Sequence, residues 1–278
     1  MARVQLMALG PCADEPSDMV RDLRTILDGW DFEPGKISVR KIIGSDQRQK
    51  IQARVDLGVM QFEVEGRPDG NRPEGCESLL IFHERRLMEY QREFDGDDEF
   101  ELGTEDCRRL RHEAYLYHQR YVSLFVLEEY EAVERDTETT LRVIDLCHRY
   151  AASQRDREAL SAYRNYALMM NTRARALQEV KCDEFENGLA IVEAGIVSLQ
   201  KAVAVEDAYD PPCEIDNSSE VDLLVALRGE IIARMPDSAL PKLNTELAAA
   251  LLAEDYALAT AIRDRIAVAA SERSNSER

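Results

Sequence analysis

At 278 residues, 45% of them hydrophobic and 32% charged, the chain can build a sizeable core and is too apolar to be disordered. No apolar run approaches the roughly 18 residues needed to span a bilayer, so no membrane segment is expected. A net charge of −19 speaks against duplex nucleic acid, whose phosphates need clustered Lys and Arg, and favours basic or mixed-charge protein partners.

The opening MARVQLMALG has too short an apolar core for an export leader. The six cysteines, Cys12, Cys76, Cys107, Cys147, Cys182 and Cys213, are scattered singly with no C-x-x-C pair. They read as reduced, buried thiols of a cytoplasmic protein.

Residues 1–33 carry one helical pattern. Val20, Leu23, Ile26 and Leu27 recur at helical spacing, Ser17 is placed to cap the helix and Gly29 to end it, and Trp30 is placed to anchor it. From Pro34 the period becomes two. Ile37, Val39 and Ile43, then Ile51, Ala53, Val55 and Leu57, then Met60, Phe62 and Val64 alternate with polar residues. The pattern predicts a three-stranded antiparallel meander over 36–65, with Ile51, Val55 and Phe62 inward and Gln52, Arg54 and Gln61 outward. Leu57 and Met60 are out of phase, and Gly58 between them suits a bulge or tight turn. The loop GRPDGNRPEG, residues 66–75, repeats a Pro-acid-Gly turn twice and completes a segment spanning 34–75.

Helical spacing fills 76–205, with breaks near Tyr130, Ser153 and Asp183. Within it, residues 93–106 hold eight acidic side chains and no basic one, which predicts a solvated linker. Residues 206–218, with Pro211-Pro212, form a second linker, and helices over 219–278 end the chain. Glu129-Tyr130 before Val133, Glu184-Phe185 before Gly188 and Asp255-Tyr256 before Ala259 share one local plan. An acid favours the helix N-terminus, an aromatic wedges into the preceding helix, and a short side chain lets the helices approach.

That plan, with Arg175-Ala176, Phe185, Gly188 and Gly195, resembles degenerate tetratricopeptide (TPR-like) hairpins. Tyr130 and Phe185 lie 55 residues apart, against about 34 in a regular array, so the resemblance implies hairpins rather than a solenoid. At the C-terminus, Leu240, Leu243, Leu247 and Leu251 form one stripe, and Leu258, Ala259, Ile262, Ile266 and Ala269 face it. Two antiparallel helices are predicted, over about 238–253 and 255–270, with Leu243, Leu247, Leu251, Ile262 and Ile266 between them. Arg263 borders the stripe beside Tyr256, Arg265 borders it beside Leu258, and Asp264 points outward. Leu243, Leu247, Asp255-Tyr256, Ala259, Ile262, Arg263-Asp264 and Ile266 resemble the UVR motif, the helical hairpin of UvrB, UvrC and activators of protein-arginine kinases. The layout of Pro34-Gly35, Val39-Arg40-Lys41-Ile42, Asp56-Leu57-Gly58 and Gly66-Arg67-Pro68-Asp69-Gly70 is also similar to bacterial UVR-motif proteins without assigned activity.

The resemblance implies a hairpin that binds another protein, often a second UVR hairpin. Leu240, Leu252, Tyr256, Leu258, Ile262, Arg263, Asp264 and Arg265 are the candidate contact residues. The competing expectation is that the hairpin packs only on Val221, Leu224, Leu227 and Ile231 of its own chain. Arg40, Arg54, Arg67 and Arg72 are a candidate polar surface, in a segment (34–72) with eight basic and five acidic residues. The alternatives for that segment are a solvated sheet face with a structural loop, and a contact with the acidic linker.

Enzyme motifs fail in the residues. The nearest phosphate loop, Gly29 to Lys36, is one residue too long and is followed by Ile37 where Ser or Thr must reach magnesium. The run from Asp95 has Phe100 where a calcium loop needs glycine. Paired zinc cysteines, as in the kinase activators, are missing, and His83, His112, His118 and His148 read as core or solvated. No cofactor or metal is expected. The fold expected is α+β, mostly α: a small three-stranded antiparallel meander, a TPR-like helical region and a C-terminal antiparallel helical hairpin. The function expected is a non-enzymatic adaptor or regulatory protein. The alternatives are an accessory factor in nucleotide excision repair or another nucleic-acid-linked process, or an enzyme using the Arg67–Asp69 loop.

Overall fold

A computed structural model of the chain describes residues 23–206, 218–235, 239–253 and 255–276. Strands β1 (Ser38–Ile43), β2 (Gln49–Val55) and β3 (Gly58–Glu63) pair antiparallel in that order. Val55 faces Gly58 across a two-residue turn of Asp56 and Leu57. Leu57 is therefore a turn residue, fully in solvent, and the phase change at Gly58 needs no bulge. Ile51, Ala53 and Phe62 face the helices and are buried. Val55, expected inward, is exposed at the end of its strand, as are Ile37 and Ile43 on β1's side.

The other sheet face is covered in part, with Gln61 exposed as expected. Helix α1 (Arg24–Leu27) and Trp30 lie against it. Gln52 points to this face as expected but is buried, bridging Arg40 and Gln61. The Ser17 and Val20 expectations lie outside the described residues; Gly29 ends the helix with a positive φ of 68°. Trp30 is anchored as expected, its indole N–H donating to Ser38 Oγ at 2.7 Å.

Helices follow: α2 (Leu79–Phe94), α3 (Thr104–Val126), α4 (Tyr130–Tyr150), α5 (Gln154–Glu158), α6 (Ser161–Lys181), α7 (Phe185–Glu206), α8 (Ser218–Arg234), α9 (Ala239–Leu252) and α10 (Tyr256–Ser276). The expected breaks fall in the three-residue connections before α4, α5 and α7. The linker around Pro211-Pro212 lies outside the described residues. One core cluster joins the inner sheet face to α3, α4, α6, α7, α8, α9 and α10. A second joins α2, the 95–103 connection and Ala151 and Leu160, which flank α5, to the other end of the α3–α4 hairpin.

The acidic stretch is a correction to the sequence reading. It is docked, because two apolar residues within it outweigh its charge. Leu102 is fully buried and forms a parallel bridge to Ala151, with Leu102 N–H donating to Tyr150 O at 2.7 Å. Phe100 stacks edge-on to Tyr90 and Tyr150. Asp97 accepts from the Tyr150 hydroxyl at 2.6 Å and from Arg149 at 2.8 Å. Residues 104–106 already belong to α3, where Glu105 and Asp106 favour the helix N-terminus.

The α3–α4 and α6–α7 turns share one backbone solution. Glu128 and Asp183 take positive φ, and the next residue donates back five positions, Glu129 to Leu124 O and Glu184 to Glu179 O, both at 3.0 Å. This is a Schellman ending. At Gly188 an added Cβ would sit 3.0 Å from Ala176 O, and at Gly195 2.4 Å from Thr172 Cγ2, so α6 and α7 approach as closely as they do only because both residues lack side chains. Cys76, Cys107 and Cys147 are buried free thiols, while Cys182, expected buried, is exposed. Among the described residues no helix is long and apolar enough to cross a membrane.

Candidate interaction surface

The α9–α10 hairpin closes with the step seen at the two earlier turns: Asp255 N–H donates to Ala250 O at 3.0 Å. The Asp255 carboxylate then accepts from Leu258 N–H at 3.1 Å and caps α10. Leu243, Ala250, Ala259 and Ile262 are buried between and beneath the helices, with Leu247 and Ile266 half-buried. They merge with Leu224, Leu227 and Ile231 of α8, so the hairpin docks on its own chain through one face.

The other side of its tip is apolar and open. Leu252 is 87% exposed, Tyr256 67%, and Leu251 and Leu258 are about half exposed. Leu251 was expected between the helices and is exposed instead, because Ala250 takes the inward position and the next helical residue turns away from it. Tyr256, Thr260, Arg263 and Ala267 recur at i, i+4, i+7 and i+11 and are all exposed, so the open face of α10 turns polar beyond the tip. Arg263 and Asp264 are both in solvent, 3.5 Å apart.

Two of the candidate contacts are occupied within the chain. Ile262 is buried in the hairpin core. Arg265 reaches α7, donating to Glu186 O at 2.6 Å with its Nε 3.8 Å from the Glu193 carboxylate. Burial pushes the Glu193 carboxyl up, and Arg265 opposes that shift. The Leu240 side chain lies outside the described residues. Leu252, Tyr256, Leu258, Arg263 and Asp264 are left together at the surface, with Leu251, which the sequence had placed inside.

Comparison of the three turns sharpens the point. Tyr130 and Phe185, the aromatics opening α4 and α7, are 9% and 8% exposed. Tyr130 packs on Phe125 at 5.6 Å and lies under the Lys181 ammonium of the next hairpin at 4.8 Å. Tyr256 holds the corresponding place in the third turn and is uncovered, so it does not form the wedge expected of it.

The candidate arginine surface is not gathered. Arg40 stacks on Trp30 at 4.0 Å and donates to Ile26 O and Gln52 Oε1. Arg54 donates to Leu27 O and Trp30 O. Both complete the C-terminal carbonyls around α1. Arg67 is almost buried, its Nε 3.3 Å from Asp69 and 3.5 Å from Glu113. Arg72 stands in solvent near Glu77. The 66–75 loop is thus a clamp between sheet and helices. Glu63 N–H donates to Pro68 O, and Gly70 and Gly75, both at positive φ, donate to Arg67 O and Arg72 O.

Sequence reasoning missed the buried polar centre beneath this loop. Glu113, fully buried on α3, accepts the N–H groups of Leu79 and Leu80 at 2.8 and 2.9 Å, capping α2 beside the N-cap hydroxyl of Ser78. Burial raises the Glu113 carboxyl, against the pull of those two N–H groups and of Arg67. Arg120 and Arg135 donate to the carbonyls of Glu63 and Val64 and fix the end of β3. The available signal was a charged residue, Glu113, Arg120 or Asp136, on the apolar face of its helix.

No protein-family model, curated protein or solved structure matches this chain.

Proposed function

We propose that this chain is a cytoplasmic, non-enzymatic adaptor that binds a protein partner through the tip of its UVR-like C-terminal hairpin. One observation carries the reading. The aromatic of the third turn is bare, while its two counterparts are each buried. A partner that supplies a helical hairpin would cover Tyr256, Leu252 and Leu258 in the way the chain covers Tyr130 and Phe185. That chemistry agrees with the expectation that UVR-type hairpins pair with one another. The exposed Arg263 and Asp264, one of each sign, would fix the register of such a partner at the rim.

Arg40, Arg54 and Arg67 have partners inside the chain, so this reading gives them no part in binding. The test is affinity capture from the native cell, followed by reconstitution with the purified partner. Tyr256→Ser with Leu252→Ser should weaken binding at least about 10-fold, the loss expected for a central aromatic anchor, without lowering the melting temperature. Equal binding by this variant overturns the reading. Removing residues 236–278 is the poorer experiment, because it would bare Leu224, Leu227 and Ile231 of α8.

A further inference from the structure

Helices α3, α4 and α6 line a cavity of about 250 Å³, with His118 in its wall. Its wall is apolar at Ile144 and Leu160. Tyr115 and Tyr163, which also line the cavity, are 54% and 61% exposed, so two tyrosines of the lining reach solvent. An apolar cavity of roughly 150 Å³ already holds a benzene, so one ring with a substituent fits here.

The polar groups narrow the ligand. Tyr121 is buried and its hydroxyl lies 2.7 Å from His118 Nδ1. Burial pushes the Tyr121 phenol up and the His118 imidazole down, so both are neutral. If Nδ1 were the donor, the buried hydroxyl proton would face no acceptor among the described residues. The hydroxyl therefore donates to Nδ1, and His118, a residue of the cavity lining, carries its proton on Nε2. Arg111, also on the wall, donates to Asp156 at 2.7 Å. The Ser153 hydroxyl and Arg111 hold the Asp156 carboxyl down at about 2, so it stays ionised and offsets the arginine charge. The site thus offers two tyrosine rings with their hydroxyls, apolar side chains, a neutral imidazole N–H and an arginine whose charge is offset, while the Thr140 hydroxyl of the lining is spent on Asp136 O.

We propose that this cavity is a binding site for a small, neutral, single-ring aromatic bearing one hydrogen-bond acceptor, the chemistry of a phenol, with its ring between Tyr115 and Tyr163 and its oxygen on His118 Nε2. The site is separate from the hairpin tip and does not rest on the adaptor reading.

The test is an NMR titration of the full chain with p-cresol, with toluene and benzoate as comparison ligands. Saturable shifts at Ala114, His118 and Leu160 are expected, with a Kd on the order of a millimolar or tighter for so small a ligand. Toluene should bind more weakly than p-cresol, and benzoate should not compete. His118→Phe keeps a ring in place but removes the donor. It should weaken p-cresol about 3- to 10-fold, the worth of one neutral hydrogen bond, and leave toluene unchanged. Ala159→Trp, at an exposed position on the cavity rim, should abolish binding of both while the amide spectrum stays folded. No saturable shift up to about 10 mM p-cresol, some tenfold above the expected Kd, overturns the proposal. Unchanged p-cresol affinity in His118→Phe, or tighter binding of benzoate than of p-cresol, also overturns it.

Discussion

Arg120 on α3 grips Asp136 on α4 through two parallel hydrogen bonds of 2.6 and 2.7 Å, and neither side chain has any exposure to solvent. A buried pair of this kind is specific rather than cheap. Its mutual attraction offsets the desolvation of two ions only while both are present. Here the pair has a further task, since Arg120 also donates to Glu63 O at 2.9 Å and so ties the helical hairpin to the end of β3.

Asp136→Ala should therefore cost about 3–5 kcal/mol, because it strands a buried guanidinium. Replacing both partners, Arg120→Met with Asp136→Leu, should retain more stability than the single change. Urea unfolding of the three proteins checks this. Equal losses in the single and double variants would show that the pair's charge is not what matters.

The three turn aromatics make a second comparison. Phe185→Ala removes a buried side chain and should cost about 3–5 kcal/mol. Tyr256→Ser, at the equivalent but exposed position, should stay within about 0.5 kcal/mol of the parent. Chemical denaturation measures both, and a large loss at Tyr256 would mean that the tip is covered by its own chain.

At Gly195 an added methyl meets Thr172 at 2.4 Å. Gly195→Ala gains about 1 kcal/mol of helix propensity but overpacks by about 1–3 kcal/mol, so a net loss of up to about 2 kcal/mol is expected. Gly195→Ala with Thr172→Ala should be more stable than the sum of the single effects. Strict additivity in a double-mutant cycle would contradict the close approach of α6 and α7.

The acid side of stability should bend at His83. This imidazole is fully buried, with Nδ1 3.1 Å from an Arg86 nitrogen. Burial lowers its pKa below the usual 6.5; Asp106 opposes that shift and Arg86 and Arg109 add to it. A depressed folded value means the unfolded chain takes up the proton first. Stability is then whole above about pH 6.5 and declines as pH falls from there toward the folded value. His118, lowered by burial as well, acts in the same sense. The raised Glu113 and Glu193 carboxyls act in the opposite sense, so the His83 contribution is the difference in unfolding free energy between the parent and His83→Gln, which should fall from pH 7 through 6 to 5, all within the range of about 5–8 where such switches operate.

Much of the fold was legible because local patterns decide it. Period two and Gly58 placed the strands, and the acid-aromatic turns placed the starts of α4, α7 and α10. What was not legible depends on distant partners. The acidic stretch reads as solvated by composition, yet Phe100 and Leu102 hold it to Tyr150 and Ala151, some fifty residues away. Arg263 and Arg265 border the same helical stripe, and only the position of α7 decides that Arg265 is consumed and Arg263 left free of the core. Arg40 and Arg54 lie on the outward sheet face as read, but the α1 segment covers that part of the face.

Whether the bare tip around Tyr256 is a contact surface is decided in the cell. The most direct measurement places a photo-reactive phenylalanine at position 256 and, as a control, at the also exposed Met88, and irradiates living cells. A contact surface at the tip gives a discrete protein adduct from position 256 that is absent from position 88 and is lost when Leu252→Asp is added. Adducts of equal yield from both positions, or an adduct at 256 indifferent to Leu252→Asp, would contradict it.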